Sequence, residues 1–263
     1  MKERTMATMT NESLLNERHN ALAHMKNPVR LVLFTSDVGC EACPDIRKLA
    51  RAIKTHSPKI ALEEYDLVMD RDKTTQYGIR MVPAIVVQGE EGYAAAFYGL
   101  IENVFFGVLL DTILAVSEKK VWFQEEIRNT LKRLARDVKI QVYVESDCPQ
   151  CRPVAETAIG LALESKLIYT DIIIASDFPE LIRKHNIKTL PKTIFGENLH
   201  MDGHVTESEF LEMIFKAEGL QPSQGRRCLT CGKPSSDLIC MECKTRIQAE
   251  AVEYKRKTEK ATR

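Results

Sequence analysis

All eight cysteines of this 263-residue chain fall into four CxxC pairs: CEAC at 40–43, CPQC at 148–151, CLTC at 228–231 and CMEC at 240–243. That spacing serves two chemistries. One pair can close and open a disulfide, and two pairs brought together can hold a metal ion. In a reducing compartment both are more expected than structural cross-links. What surrounds each pair decides between the two uses.

The first two pairs sit in a repeated context. Cys40 is followed 43 positions later by Pro83 in YGIRMVPAIVV, and Cys148 is followed 43 positions later by Pro191 in HNIKTLPKTIF. The halves are therefore offset by 108 residues. VRLVLFTS (29–36) and KIQVYVES (139–146) are apolar runs bounded by polar residues, as buried strands should be. After CEAC, Ile46, Leu49, Ala50 and Ile53 make one helical stripe, and CPQCRPVAETAIGLALES reads the same way, with Pro149 in the favoured first turn. Strands follow at 60–68 and at LIYTDIIIA. Short helices follow these, the first ended by Gly78. Each half closes with a strand pair and a helix. A helix is also predicted ahead of each half, over 11–27 and over 122–137. The order α-β-α-β-α-β-β-α, twice, means an α/β sheet covered by helices.

CxxC after a buried strand, with an X-Pro about forty residues on, resembles the thioredoxin fold. Two such units in tandem, opened by NPVRLVLF and DVKIQVYV, resemble the two-domain, glutaredoxin-like protein disulfide oxidoreductases. The resemblance covers about residues 11–218. It implies two thioredoxin-like domains, each a central mixed sheet flanked by helices. It also implies thiol–disulfide exchange on protein substrates and recycling by a thioredoxin-reductase-like flavoprotein. Gly39 and Asp147 stand where thioredoxin has Trp, and Phe34 and Val142 where it buries an Asp, so both sites look closer to glutaredoxin.

Exchange begins with a thiolate. Cys40 and Cys148 are expected at helix N-termini, where unpaired N–H groups favour an anionic sulfur, and would attack; Cys43 and Cys151 would resolve the mixed disulfide. Cis bonds at Val82-Pro83 and Leu190-Pro191 would offer backbone groups to an extended substrate. Glu41 and Asp37 should disfavour the Cys40 thiolate, and Asp147 and Glu145 act similarly on Cys148. Pro149 and the cation of Arg152 should leave CPQC the more oxidising and more active pair. The alternative in which these two pairs share one metal is weakened because each has its own strand, helix and X-Pro.

The last four cysteines lack that context. After a polar linker comes C-x2-C-x8-C-x2-C, with Gly232 in a knuckle-like turn. Cys228, Cys231, Cys240 and Cys243 are read as a structural Zn2+ site, a zinc ribbon, with a rubredoxin-like iron or a further dithiol as alternatives. With little apolar core of its own, the segment should take most of its folding energy from the metal. The tail is expected to be a solvated helix. His200 and His204 read as surface residues, and His185 as a packing residue matching Tyr77.

The expected division is 1–26, an N-terminal helix of the first unit; 27–120 and 121–219, the thioredoxin-like domains; 220–227, linker; 228–245, ribbon; and 246–263, charged tail. Lys plus Arg equal Asp plus Glu at 37 each, so nothing points to nucleic acid or an anionic membrane. The N-terminus has no secretory apolar region, and no apolar run is long enough for a membrane span. The expectation is a cytoplasmic disulfide oxidoreductase with no small-molecule redox cofactor of its own. Its rival is a non-catalytic adaptor that grips a macromolecule through the ribbon.

Overall fold

The computed structural model describes residues 10–90, 92–219, 228–233, 235 and 237–261. The expected linker 220–227 lies outside the described residues. In chain order the elements of the first unit are α1 (Asn11–Glu17), α2 (His19–Ala23), β1 (Val29–Thr35), α3 (Cys43–Thr55), β2 (Ile60–Asp66), α4 (Arg71–Tyr77), β3 (Ala84–Gly89), β4 (Gly92–Tyr98) and α5 (Asn103–Glu118). The second unit has α6 (Glu125–Leu131), β5 (Val138–Val144), a 3-10 turn (Pro149–Cys151), α7 (Arg152–Glu164), β6 (Ile168–Ile174), α8 (Pro179–Lys184), β7 (Lys192–Phe195), β8 (Leu199–Asp202) and α9 (Glu207–Ala217). Helix α10 (Met241–Ala261) closes the chain.

Among the described residues the strands form one sheet in the order β2-β1-β3-β4-β6-β5-β7-β8. The two units are thus joined edge to edge by a parallel pairing of Ala96, Phe97 and Tyr98 with Asp171, Ile172 and Ile173. Strands β1, β2, β4, β5 and β6 all run the same way, so both CxxC pairs leave the same rim of the sheet. One face carries the large core, including Leu31, Phe97, Phe105, Phe106, Val142, Phe195 and Phe210, beneath helices such as α3, α5 and α7. The other face holds a smaller core around Phe34, Tyr98, Tyr143 and Phe178. Strand β2 lies at one end of the sheet, and much of it beyond Ile60 is exposed or half-buried.

Three expected elements are shorter or broken. The helix over 11–27 divides at Arg18, whose guanidinium turns to Asp111 on α5 (Nε to Oδ1, 2.8 Å), and Asn27 instead bonds Ser117. The helix over 122–137 is only α6. Beyond it the amides of Ala135 and Arg136 donate to the Glu218 carboxylate rather than continue the spiral. Strand β2 stops at Asp66 because its carboxylate accepts the amides of Val68 and Met69 at 2.8 and 2.9 Å, turning the chain.

The repeat also carries a one-residue step. Val29 pairs with Ile60 and Val138 with Ile168, so β1 maps to β5 at an offset of 109, while β2 maps to β6 at 108. The loop between strand and CxxC is one residue shorter in the second unit. A step of one reverses the face of a strand residue. The counterpart of Phe34 is therefore Tyr143, not Val142: Phe34 packs on Tyr77 with ring centroids 5.6 Å apart, and Tyr143 packs on His185 at 5.7 Å. His185 is the packing residue its position suggested.

At the seam, Asp171 is buried. Its carboxylate accepts the Tyr93 hydroxyl at 3.1 Å and pairs with Lys139 at 2.6 Å. Burial raises its pKa, against the opposing pull of Lys139 and Tyr93. A raised carboxyl pKa means the folded state holds the proton more tightly. This group's contribution to stability is therefore full below about pH 4 and is lost as pH rises through the folded pKa. Asp171→Asn keeps an acceptor for Tyr93 and removes the charge. It should become more stable relative to the parent as pH is raised from about 4 to 7, measured by urea melts; an unchanged difference across that range would contradict the assignment.

Candidate functional sites

In the first unit, β1 delivers the chain to a loop whose Gly39 has φ 73°. Cys40 and Cys43 are bonded as a disulfide with Cα atoms 5.4 Å apart. Helix α3 begins at Cys43, so Cys40 stands in the turn just before it rather than within it, and the Cys43 amide donates to the Cys40 carbonyl. Cys43 is buried and accepts the Ser36 amide at 3.4 Å, while Cys40 is half-buried. Cys43, the expected resolving residue, is thus enclosed, and Cys40, the expected attacking residue, is the more reachable of the two.

The second unit repeats this with differences. Cys148 and Cys151 form a disulfide with Cα atoms 5.3 Å apart. Cys148 caps a 3-10 turn that contains Pro149, and α7 starts only at Arg152. Cys148 is 6% exposed, less than Cys40, and Cys151 is fully buried. The loop before it is held by the first unit: the Val104 amide donates to the Ser146 carbonyl (3.2 Å), and the Ser146 hydroxyl donates to the Leu100 carbonyl (3.2 Å).

Val82-Pro83 and Leu190-Pro191 are both cis. Register brings each to its dithiol. Ala84 pairs with Phe34 and Lys192 with Tyr143, so each proline stands beside the last residue of the strand that leads to CxxC.

Arg152 is not placed as its sequence position suggested. Its guanidinium is held by Glu156 (2.7 Å) and by Asp111 of α5 (2.7 Å), the carboxylate that also takes Arg18. Two carboxylates, not the Cys148 sulfur, neutralise it. Asp37 likewise pairs with Arg47 at 3.3 Å.

The third constellation is Cys228, Cys231, Cys240 and Cys243, whose sulfurs all lie within 4.8 Å of one another. Cys231 and Cys240 sulfurs are 3.7 Å apart. A tetrahedral four-thiolate zinc with Zn–S of about 2.3 Å has edges of about 3.8 Å, so the donor set and spacing fit such an ion. The turn is set by Gly232 at φ 75°, whose amide donates to the Cys228 carbonyl. The Cys240 amide donates to the Cys228 sulfur at 3.2 Å. Burial pushes the Cys228 thiol up, but amides of Cys231, Cys240 and Thr230 outweigh it and bring its pKa down to about 6.

The segment is less independent than its composition suggested. Leu238, Ile239 and Ile247 are buried in the main core. Lys244 pairs with Glu212 of α9 at 2.6 Å, Arg246 pairs with Glu126 of α6, and Arg133 donates to the Leu229 carbonyl. Cys243 lies in the first turn of α10, and Cys240 directly precedes that helix. His200 and His204 are exposed, and among the described residues neither joins a metal-type cluster.

A double α/β unit with a dithiol at each strand–helix junction and a cis X-Pro beside it defines a protein of the thioredoxin class. Residues 138–216 match the family model described as a thioredoxin domain. The "Probable Thioredoxin" of Methanothermobacter thermautotrophicus is 36% identical over 69 residues, 26% of this chain and 80% of the relative. The "Thioredoxin" of Methanocaldococcus jannaschii is 33% identical over the same length and shares. The chain belongs to the thioredoxin family. Among solved structures, a protein disulfide oxidoreductase from Aeropyrum pernix superposes with a TM-score of 0.72 at 25% identity, over 79% of this chain and 94% of that one. A domain of alkylhydroperoxide reductase AhpF from Enterococcus faecalis has the same fold: TM-score 0.70, 21% identity, 77% and 98% coverage. No helix among the described residues is long and apolar enough to cross a membrane.

Sequence reasoning missed Ser146, Asp111 and Asp171. Each acts across tens of residues in the chain, where no local spacing announces it. The placement of Arg152 has a direct consequence. Arg152→Gln should leave the Cys148 thiolate pKa within about half a unit of the parent, read from thiolate ultraviolet absorbance, while costing about 1 kcal/mol of stability. A fall in thiolate acidity of a full unit would return the cation to the sulfur.

Proposed function

We propose that the chain is a cytoplasmic thiol–disulfide oxidoreductase acting on protein disulfides and dithiols through Cys40/Cys43 and Cys148/Cys151. The observation that carries this reading is duplication of the whole site. A disulfide at a strand–helix junction, with its inner sulfur enclosed and a cis X-Pro alongside, occurs twice. The relatives named above support the same chemistry.

In the reductive direction the Cys40 or Cys148 thiolate attacks a substrate disulfide. One substrate sulfur becomes bonded to the protein and the other leaves as a thiolate. The Cys43 or Cys151 thiolate then attacks the protein's half of that mixed disulfide and releases the second substrate thiolate. The protein is left as the disulfide seen here, two electrons poorer. A thioredoxin-reductase-like flavoprotein would restore the dithiol. Val82 and Leu190 would take the substrate backbone.

Between β1 and β5 lie β3, β4 and β6, four inter-strand steps. At about 4.8 Å per step the two dithiols leave the rim about 19 Å apart. Direct exchange between them is out of reach, so each reacts with partners on its own account. Pro149 still favours the Cys148 pair as the more oxidising. The four-cysteine centre would hold Zn2+ as a structural ion, fastening α10 to α6 and α9.

Turnover tests the reading. The purified chain should reduce insulin disulfides with dithiothreitol as donor. Cys148→Ser should lose most of this, and Cys40→Ser/Cys148→Ser all of it; full activity in the double variant would end the proposal in favour of an adaptor. Thiol counting is independent of turnover. Four cysteines should cycle with dithiothreitol, and the other four should stay masked, with about one zinc per chain, until a chelator is added. Metal removal should also lower the melting temperature of the second unit, since Ile239 and Ile247 belong to the main core and Lys244 and Arg246 pair with α9 and α6. A melting curve indifferent to the chelator would rule out a fastening role.

A further inference from the structure

The two active-site loops differ in what lies on their outer flank, the side away from the cis-proline. In the second unit that flank is occupied by the first unit. The segment Gly99–Val104 runs over it, with the Leu100 amide donating to Asp177 (2.5 Å) and the Ser146 contacts described above. Gly99, at φ 96°, fits so closely that an added Cβ would stand 2.5 Å from the Asp177 carboxylate and 3.0 Å from Ile174.

The same flank of the first unit has different chemistry. The β2-to-β6 offset of 108 places Val68 and Met69 where the second unit has Ser176 and Asp177. Counting back from the cysteines places Val38 where it has Ser146. Val38, Val68 and Met69 are 86%, 56% and 83% exposed. Outside helix α10, which carries Met241 and Val252, they are most of the large apolar side chains left open in the described residues. They are also held in place. The Leu67 amide donates to the Thr35 carbonyl at 2.8 Å, and the Asp66 carboxylate takes the amides of Val68 and Met69, fixing the turn that carries them to the end of β1. A rigid, exposed apolar patch next to a reactive sulfur is a docking feature rather than an accident of the surface.

We propose that Val38, Val68 and Met69 form a docking surface for a protein partner of the first dithiol, a polypeptide that lays an apolar side chain where Leu100 lies in the second unit. The internal seam shows the kind of object this flank accepts: a loop from another polypeptide fold, crossing just outside the CxxC turn. A second copy of this chain is a poorer match. The unit-two equivalent of Gly99 is Gly203, since their amides donate to the Pro83 and Pro191 carbonyls, so a second copy would present the exposed, polar His204 to the apolar patch. This surface is additional to the cis-proline side, because β2 and β3 flank β1 on opposite sides. It gives the first dithiol a preference for macromolecular over small disulfides.

The inference rests on the oxidoreductase reading for its kinetic arm only. In a Cys148→Ser/Cys151→Ser background, Val68→Ser/Met69→Ser should lower the ratio of kcat/KM for insulin to kcat/KM for a small aromatic disulfide on the order of ten-fold. An unchanged ratio would overturn the docking surface and leave the enzymatic reading standing. Failure of the background protein on both substrates would instead strike that reading. The binding arm needs no turnover. With S-carboxymethylated insulin B chain as probe, the methyl NMR signals of Val38, Val68 and Met69 in the full chain should shift saturably, and the serine variant should bind on the order of ten-fold more weakly. No shift at these methyls overturns the proposal. So does concentration-dependent self-association in sedimentation that the serine variant abolishes, since that would assign the patch to a second copy.

Discussion

Three residue pairs between β4 and β6 determine the form of the whole molecule. Because that join is parallel, the second unit repeats the direction of the first, and both dithiols emerge on one rim. An antiparallel join would have put them at opposite ends. The join also has a cost. It places the Asp171 carboxylate in the middle of a buried sheet, where Tyr93 and Lys139 must satisfy it. The same join lays the first unit's Gly99–Val104 segment across the second unit's CxxC loop. The asymmetry between the two sites is therefore a geometric result of fusing two similar units side by side.

Much of this plan was legible in the residues. Alternation and apolar runs located the strands, and Gly78 ended α4 in the left-handed conformation expected of it. The matched spacing of Cys40 to Pro83 and Cys148 to Pro191 located both dithiol and cis-proline pairs, because two paired strands hold each cysteine and proline in fixed relation. What was not legible was long-range. A single sequence cannot show that Asp111 draws Arg152 and Arg18 to itself, nor that Glu218 ends the α6 region by taking the amides of Ala135 and Arg136. The one-residue step between strand and cysteine was hidden for another reason. The cysteines repeat at 108 residues, and a shorter loop leaves that count intact while reversing which strand residues face each other.

The four-cysteine segment shows where composition misleads. Read alone it has too few apolar residues for a core. In the fold it needs none of its own, because Leu238, Ile239 and Ile247 enter the main core. Its ion pairs reach α6 and α9, two helices that contribute to that core. The metal-type site and the redox unit are therefore mechanically continuous, although the dithiol is on the opposite rim.

The ends of the sheet carry a last consequence. A chain made of two like units joined edge to edge has no inherent reason to stop at two, since the same join could add a further copy indefinitely. Here the outer strands do not invite it. Strand β2 carries Glu63 and Glu64, paired with Arg30 and Arg51, and ends in Asp66. Strand β8 is only four residues long and ends in Asp202. Charge on one outer strand and brevity on the other discourage lateral growth. The architecture that brings two dithiols together in one chain is thereby kept from becoming the subunit of a fibre.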